Sequence, residues 1–152
     1  MFEEIEARIE KAKEALGEIG SVTEDISPRE FHDYMTGEIF SEDTTTLEDI
    51  LGNEFIMMHE VAEISELKRM GRTIDKRVIV DSPKTVVYEA HLTAMELELD
   101  YGMLRKDYYW VKMRLRRHRE SVLENDPSLP ETLRPRAEAI YSRFKNQLGT
   151  GL

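Results

Sequence analysis

The stretch PKTVVYEAHLTAMELELDYGMLRKDYYWVKMRLRRHRESVLE, Pro83 to Glu124, decides how the chain is read. Proline suits the first position of a helix, and nothing after it interrupts a helical pattern before Asp126-Pro127. Val87, Ala90, Ala94, Leu97, Tyr101, Leu104, Tyr108, Val111 and Leu115 alternate steps of three and four. That is a seven-residue repeat, the seam of a bundle or coiled coil. His91, Glu98, Arg105 and Lys112 recur every seventh residue on one flank. At ~1.5 Å per residue such a helix is a rod of roughly 60 Å. A compact chain of this size spans only about 35–40 Å. Either the helix breaks, with Gly102 the obvious place, or its end packs on a second copy. The second alternative predicts a homodimer built on this helix.

The remaining segments supply shorter helices. Phe2, Ile5, Ile9, Ala12 and Leu16 predict one over 2–17, ended by Gly17 and Gly20. Ser27-Pro28-Arg29-Glu30 is a capping-box sequence that opens a helix over 28–36. Thr45-Thr46-Leu47-Glu48 offers a second box, after an acidic loop over 37–44. The helix from Leu47 runs to Met70, with Gly71 as its stop. A break at Gly52-Asn53 would let Asn53 cap a new helix with Glu54 in its first turn. Without the break, Glu54 falls among apolar residues. Residues 72–80 read as a buried connector. Pro135 opens a last helix to about Gln147, and 148–152 form a frayed tail. The prediction is a single all-α domain over 1–152, a bundle of about five helices around the 83–124 rod.

Composition narrows the function. Lys and Arg number 21 against 31 Asp and Glu, a net charge of −10. That disfavours a general attraction to nucleic acid or anionic membranes. With no cysteine in 152 residues, disulfides, zinc–thiolate sites and thiol nucleophiles are excluded. No apolar run is long enough for a membrane span, and the expected location is cytoplasmic. Gln147 is the sole glutamine, and Asn53, Asn125 and Asn146 are the sole asparagines. Few amides among many charges is a thermophile habit, offset by eight methionines.

Chemistry concentrates in Phe55–Gly71, FIMMHEVAEISELKRMG. On a continuous helix, Leu47, Ile50, Leu51, Met58, Val61 and Ala62 gather on one side. His59, Glu63 and Glu66, with Glu60 nearby, fall on the other, which predicts a solvated face. The same spacing also allows a metal site, because His59 and Glu63 are one turn apart and suit zinc, manganese or iron. Further ligands would come from His91 and Glu98 on the long helix, although these two lie about 10 Å apart along the axis. Glu60 or Glu96 would then be the base in a metal-dependent hydrolase, of phosphohydrolase or pyrophosphohydrolase type and taking zinc, manganese, iron or magnesium. Glu96 and Asp100, also one turn apart, form a further candidate pair. Known patterns are not met. His59-Glu60-Val61-Ala62-Glu63 has glutamate where HExxH needs its second histidine, neither helix carries the Glu-x-x-His of carboxylate di-iron proteins, and His32-Asp33 stands alone. There is no G-x-S-x-G elbow and no glycine-rich phosphate loop.

Arg105–Arg119 contains seven Lys or Arg against one acid, interleaved with Tyr108, Tyr109 and Trp110. Arg114, Arg116, Arg117 and Arg119 are candidates for binding RNA or another polyanion. The alternative is internal pairing with glutamates. Three functions therefore stand: a homodimeric structural or interaction protein with a protein partner, a metal-dependent hydrolase, and a polyanion binder.

Overall fold

The computed structural model describes residues 1–40 and 45–149, so part of the acidic loop and most of the expected frayed tail lie outside the described residues. Among the described residues every regular element is helical: α1 (Phe2–Glu18), α2 (Pro28–Met35), α3 (Leu47–Leu51), α4 (Glu54–Arg69), α5 (Val78–Asp81), α6 (Lys84–Leu104), α7 (Tyr108–His118) and α8 (Arg134–Leu148). A π-helical segment, Arg119–Glu124, continues α7, and a 3₁₀ turn, Glu131–Leu133, leads into α8.

The caps explain most boundaries. The Ser27 hydroxyl accepts from Glu30 N at 3.0 Å while Glu30 accepts from Ser27 N at 2.9 Å. Thr46 and Asp49 exchange the same pair of bonds. Asn53 Oδ1 accepts from Phe55 N and Ile56 N, so the chain does restart at Asn53, and Glu54 lies exposed in a first turn. The expected connector over 72–80 ends in the single helical turn α5, with Ile74 and Val78 buried.

The unbroken rod over 83–124 is corrected by the structure, and with it goes the argument from length to a homodimer. The break is three residues beyond Gly102. Lys106 N donates to Met103 O at 3.1 Å and Asp107 N to Gly102 O at 3.0 Å, while Lys106 sits at φ 59°. This is a Schellman stop. Gly20 and Gly71 end α1 and α4 in the same way, with φ of 79° and 86°. Asp107 then caps α7, its carboxylate accepting from Trp110 N at 3.1 Å. The heptad seam ran straight through this reversal, which is why two of its members, Leu104 and Tyr108, are exposed. Gly102 has a different duty. A Cβ there would lie 2.6 Å from Val111 Cγ2, so its absence lets α7 fold back against α6.

The reversal makes α6 a central wall. Ala90, Ala94 and Tyr101 join one core with Ile5, Ile9 and Leu16 of α1, Phe31 of α2 and most of α4. Leu92, Met95 and Leu99, on the other face of α6, join a second core with Val111, Leu115, Ile140 and Phe144. A helix buried on two faces reads as apolar nearly all round.

Replacing Lys106 by glycine tests the break by the sign of its effect. At a left-handed C′ position it should stabilise by about 0.5–1 kcal/mol, whereas inside a continuous helix it would cost about 1 kcal/mol. Urea unfolding of Lys106→Gly distinguishes the two.

Candidate metal centre

The solvated face predicted for α4 is buried at two of its four positions, while Glu60 and Glu66 stay half-buried. His59 is 3% and Glu63 8% exposed, because α1 covers one side of α4, α6 another, and Tyr34 of α2 reaches over the third. His59 Nε2 lies 3.0 Å from Glu63 Oε2. His91 Nδ1, from α6, lies 3.4 Å from the same oxygen. The two imidazoles meet edge to face with centroids 5.1 Å apart. His59, Glu63 and His91 thus each present a ligand atom, all within 4.8 Å of one another, the one such group among the described residues. The Tyr34 hydroxyl donates to the other Glu63 oxygen.

Behind this triad stands a second layer. His59 Nδ1 lies 3.0 Å from Glu98 Oε1. Arg114 reaches Glu98 through Nε at 2.6 Å and a terminal guanidinium nitrogen at 2.9 Å, and Trp110 Nε1 donates at 2.8 Å. Glu98 has no solvent exposure, and both its oxygens are taken. It is therefore not placed beside Glu63 and His91 as a fourth ligand. Its position is that of the carboxylate that orients a metal-binding histidine from behind.

The electrostatics follow from this wiring. Burial works against the His59 imidazolium, but its hydrogen bonds to Glu63 and Glu98 prevail and hold its pKa at about 10. Burial likewise opposes the Glu98 carboxylate, and the Arg114 charge with the His59 bond brings its pKa down to about 2. Glu63, desolvated but bonded to His59 and His91, lies well below the ordinary carboxylate range. Burial and the Glu63 charge push the Tyr34 hydroxyl up, so it remains a donor. Without a cation, the proton on His59 Nε2 occupies the space between His59 and Glu63.

The triad lies in the wall of a cavity of about 580 Å³. Glu60 lines the same cavity, as do Arg114, Arg117 and Ser121. A smaller cleft of about 250 Å³, between α1 and the α3–α4 segment, is lined by charges of both signs and no histidine.

The other sequence candidates are dispersed. Glu96 and Asp100 both bind Arg143 of α8, at 3.0 and 2.6 Å, outside this cavity, so Glu96 is not a base for it. His32 packs on Phe2 instead. Of the four arginines, Arg114 serves Glu98, and Arg119 faces Tyr141, Glu120 and Glu124. Arg116 and Arg117 are exposed. The four form no common stripe. Tyr34 stands in no spacing that marks it, and Trp110, read from sequence as a stacking aromatic of the basic segment, instead donates to Glu98. No protein-family model, curated protein or solved structure matches the chain.

These shifts predict a pH window for metal-free protein. His59, raised from 6.5 to about 10, contributes stability that is complete below pH 6.5 and lost as pH rises through 10. Glu98, lowered from 4.5 to about 2, contributes above pH 4.5 and loses it as pH falls through 2. Guanidinium unfolding of EDTA-treated protein should therefore decline on both sides of that window. In His59→Gln the alkaline slope should be shallower by up to ~1.4 kcal/mol per pH unit.

Proposed function

We propose that the protein is a divalent-metal-dependent hydrolase of the phosphohydrolase class, with His59, Glu63 and His91 as its metal ligands. The observation that carries this reading is the convergence of two imidazoles and a carboxylate on one cavity wall, with Glu98 fixing His59 from behind. Two histidines and one glutamate suit zinc, and also iron or manganese. Three protein ligands leave a position open toward the cavity, the pattern of a catalytic rather than a structural ion. Burying Glu98, His59 and Arg114 adds little net stability compared with apolar residues of similar volume. A role in orienting His59 accounts for the arrangement better than stability does.

When bound, the ion would polarise the scissile group and make a water more acidic. The chain's own residues do the rest. Glu98 holds the imidazole so that Nε2 points at Glu63, and Tyr34 holds the second Glu63 oxygen. Glu60, which lines the same cavity, would accept a proton from the attacking water. Because His59 must give up its Nε2 proton to ligate, metal uptake releases a proton, and affinity rises with pH.

The reading as a self-associating interaction protein keeps one observation in its favour. Leu104, Tyr108 and Tyr109 stand exposed together at the α6–α7 corner, Tyr109 by 82%. Light scattering at micromolar concentration would show a monomer if that corner is idle.

EDTA-stripped protein titrated with zinc by calorimetry should bind one ion per chain. His91→Ala and Glu63→Ala should abolish binding, and Glu98→Gln should weaken it roughly 10–100-fold. Glu60→Gln should retain zinc but lower phosphoester hydrolysis by about 10²–10⁴-fold. Failure of the wild-type protein to take up zinc, manganese or iron in stoichiometric amount would remove the proposal.

A further inference from the structure

The walls of the cavity differ in chemistry from one side to another. Phe40 and Tyr88 line it as a ring pair, with centroids 6.0 Å apart and planes 32° from parallel. Phe40 is 41% exposed although it is a large apolar side chain; Lys84 Nζ lies 5.5 Å from its ring centre, and the exposed part of the ring is what a ligand can stack on. Ile39, Ile56 and Val87 add apolar wall. The Tyr88 hydroxyl is committed, donating to Asp126 Oδ2 at 2.5 Å, while Asp126 Oδ1 accepts from Ser128 N at 2.8 Å. Both oxygens of that carboxylate are thus engaged by donors, which tempers its repulsion of an anion. Arg117 also lines the cavity, is exposed, and makes no ion pair among the described residues. Nearby Ser121 belongs to the π-helical segment. Such wide turns are rare and recur at functional sites. Here the segment sets Ser121 and Val122 into the cavity wall after Arg117.

A ligand that uses all of these features has a flat ring to lie against the exposed part of Phe40, which Tyr88 backs, an anionic group for Arg117, and a bond to be cleaved near His59, Glu63 and His91. We infer that the substrate is a phosphomonoester of a flat aromatic group, of the size and chemistry of a nucleoside monophosphate. The inference rests on the metal-dependent reading above. Arg117 pairs with the phosphate as guanidinium does, through directed N–H donors, and the ring stack supplies an affinity that tolerates different bases. The volume of about 580 Å³ falls in the range of pre-formed small-molecule sites. In the reaction, the oxygen of a water forms a bond to phosphorus and the bond from phosphorus to the ester oxygen breaks. The water's proton passes to Glu60, and a proton from solvent neutralises the departing alkoxide. The products are the nucleoside and inorganic phosphate.

Calorimetric titration of the zinc-loaded Glu60→Gln protein, which retains the ion but is slow to turn over, with adenosine monophosphate, adenosine and inorganic phosphate tests this, the variants below being made in the same background. The monophosphate should bind at least roughly tenfold more tightly than either fragment, a difference well resolved in such titrations. Arg117→Ala should weaken the monophosphate and phosphate about tenfold and leave adenosine unchanged. Phe40→Ala should weaken the monophosphate and adenosine and leave phosphate unchanged. Both side chains are exposed enough for the variants to fold. A monophosphate that binds no more tightly than phosphate, or variants that move all three ligands alike, would overturn the inference. Zinc uptake without monophosphate binding overturns this inference alone. Absence of zinc uptake removes the metal reading and this inference together.

Discussion

A carboxylate sealed from water sets the terms for the rest of the molecule. Glu98 sits mid-helix with no exposed surface, and an isolated charge in such a place is strongly unfavourable. Its compensation comes from Trp110 and Arg114, which lie 12 and 16 positions later in the chain. On an uninterrupted helix Arg114 would stand about 24 Å farther along the axis. The two can meet only because the chain reverses at 105–107. The reversal, the close contact of Gly102 with Val111, and the charge network are therefore one structural fact, described from three sides.

From Glu98 the order passes to the site. His59 is clamped through Nδ1, its Nε2 is turned toward Glu63, and His91 arrives from the opposite helix. The small faces of Ala90 and Ala94 belong to the core that α6 shares with α4. Small residues there allow the two helices that carry His59, Glu63 and His91 to approach closely. The larger face of α6, with Leu92, Met95 and Leu99, anchors α7 and α8, and so fixes the arm that brings Trp110 and Arg114 to Glu98. Packing on one side of the wall thus holds in place the chemistry on the other.

The basic segment gains a different meaning in three dimensions. Its excess of positive charge suggested an outside polyanion, yet Arg114 is turned inward to a glutamate and Arg119 is engaged by Tyr141 and two glutamates. Only the outer part of that charge, Arg116 and Arg117 among it, is left for a ligand. Arg117 stands over the cavity wall rather than on an open stripe. A small anion suits that setting better than a long nucleic acid does.

Local patterns in the sequence carried the all-α class, the start of α1, the capping box at Ser27, the stop at Gly71 and the restart at Asn53, while the second box formed one residue later than its signature, on Thr46 and Asp49 rather than Thr45 and Glu48. Each of these depends on a few neighbouring residues whose side chains or φ preference act within one turn. They also brought His59 and Glu63 forward as a pair, because a one-turn spacing is a local property, whereas His91 stood only among several candidate groups on the long helix. The break at Lys106 was not legible, since a lysine took the left-handed position where glycine usually signals a stop, and the apolar repeat ran on through it. The burial of the His59 face was not legible either. A helical wheel shows which residues share a side, but only the packing of α1, α2 and α6 around α4 decides which sides meet water. Glu98 drew notice as one more possible ligand. Its place behind His59 was decided by tertiary structure alone, because its partners reach it only after the chain has folded back.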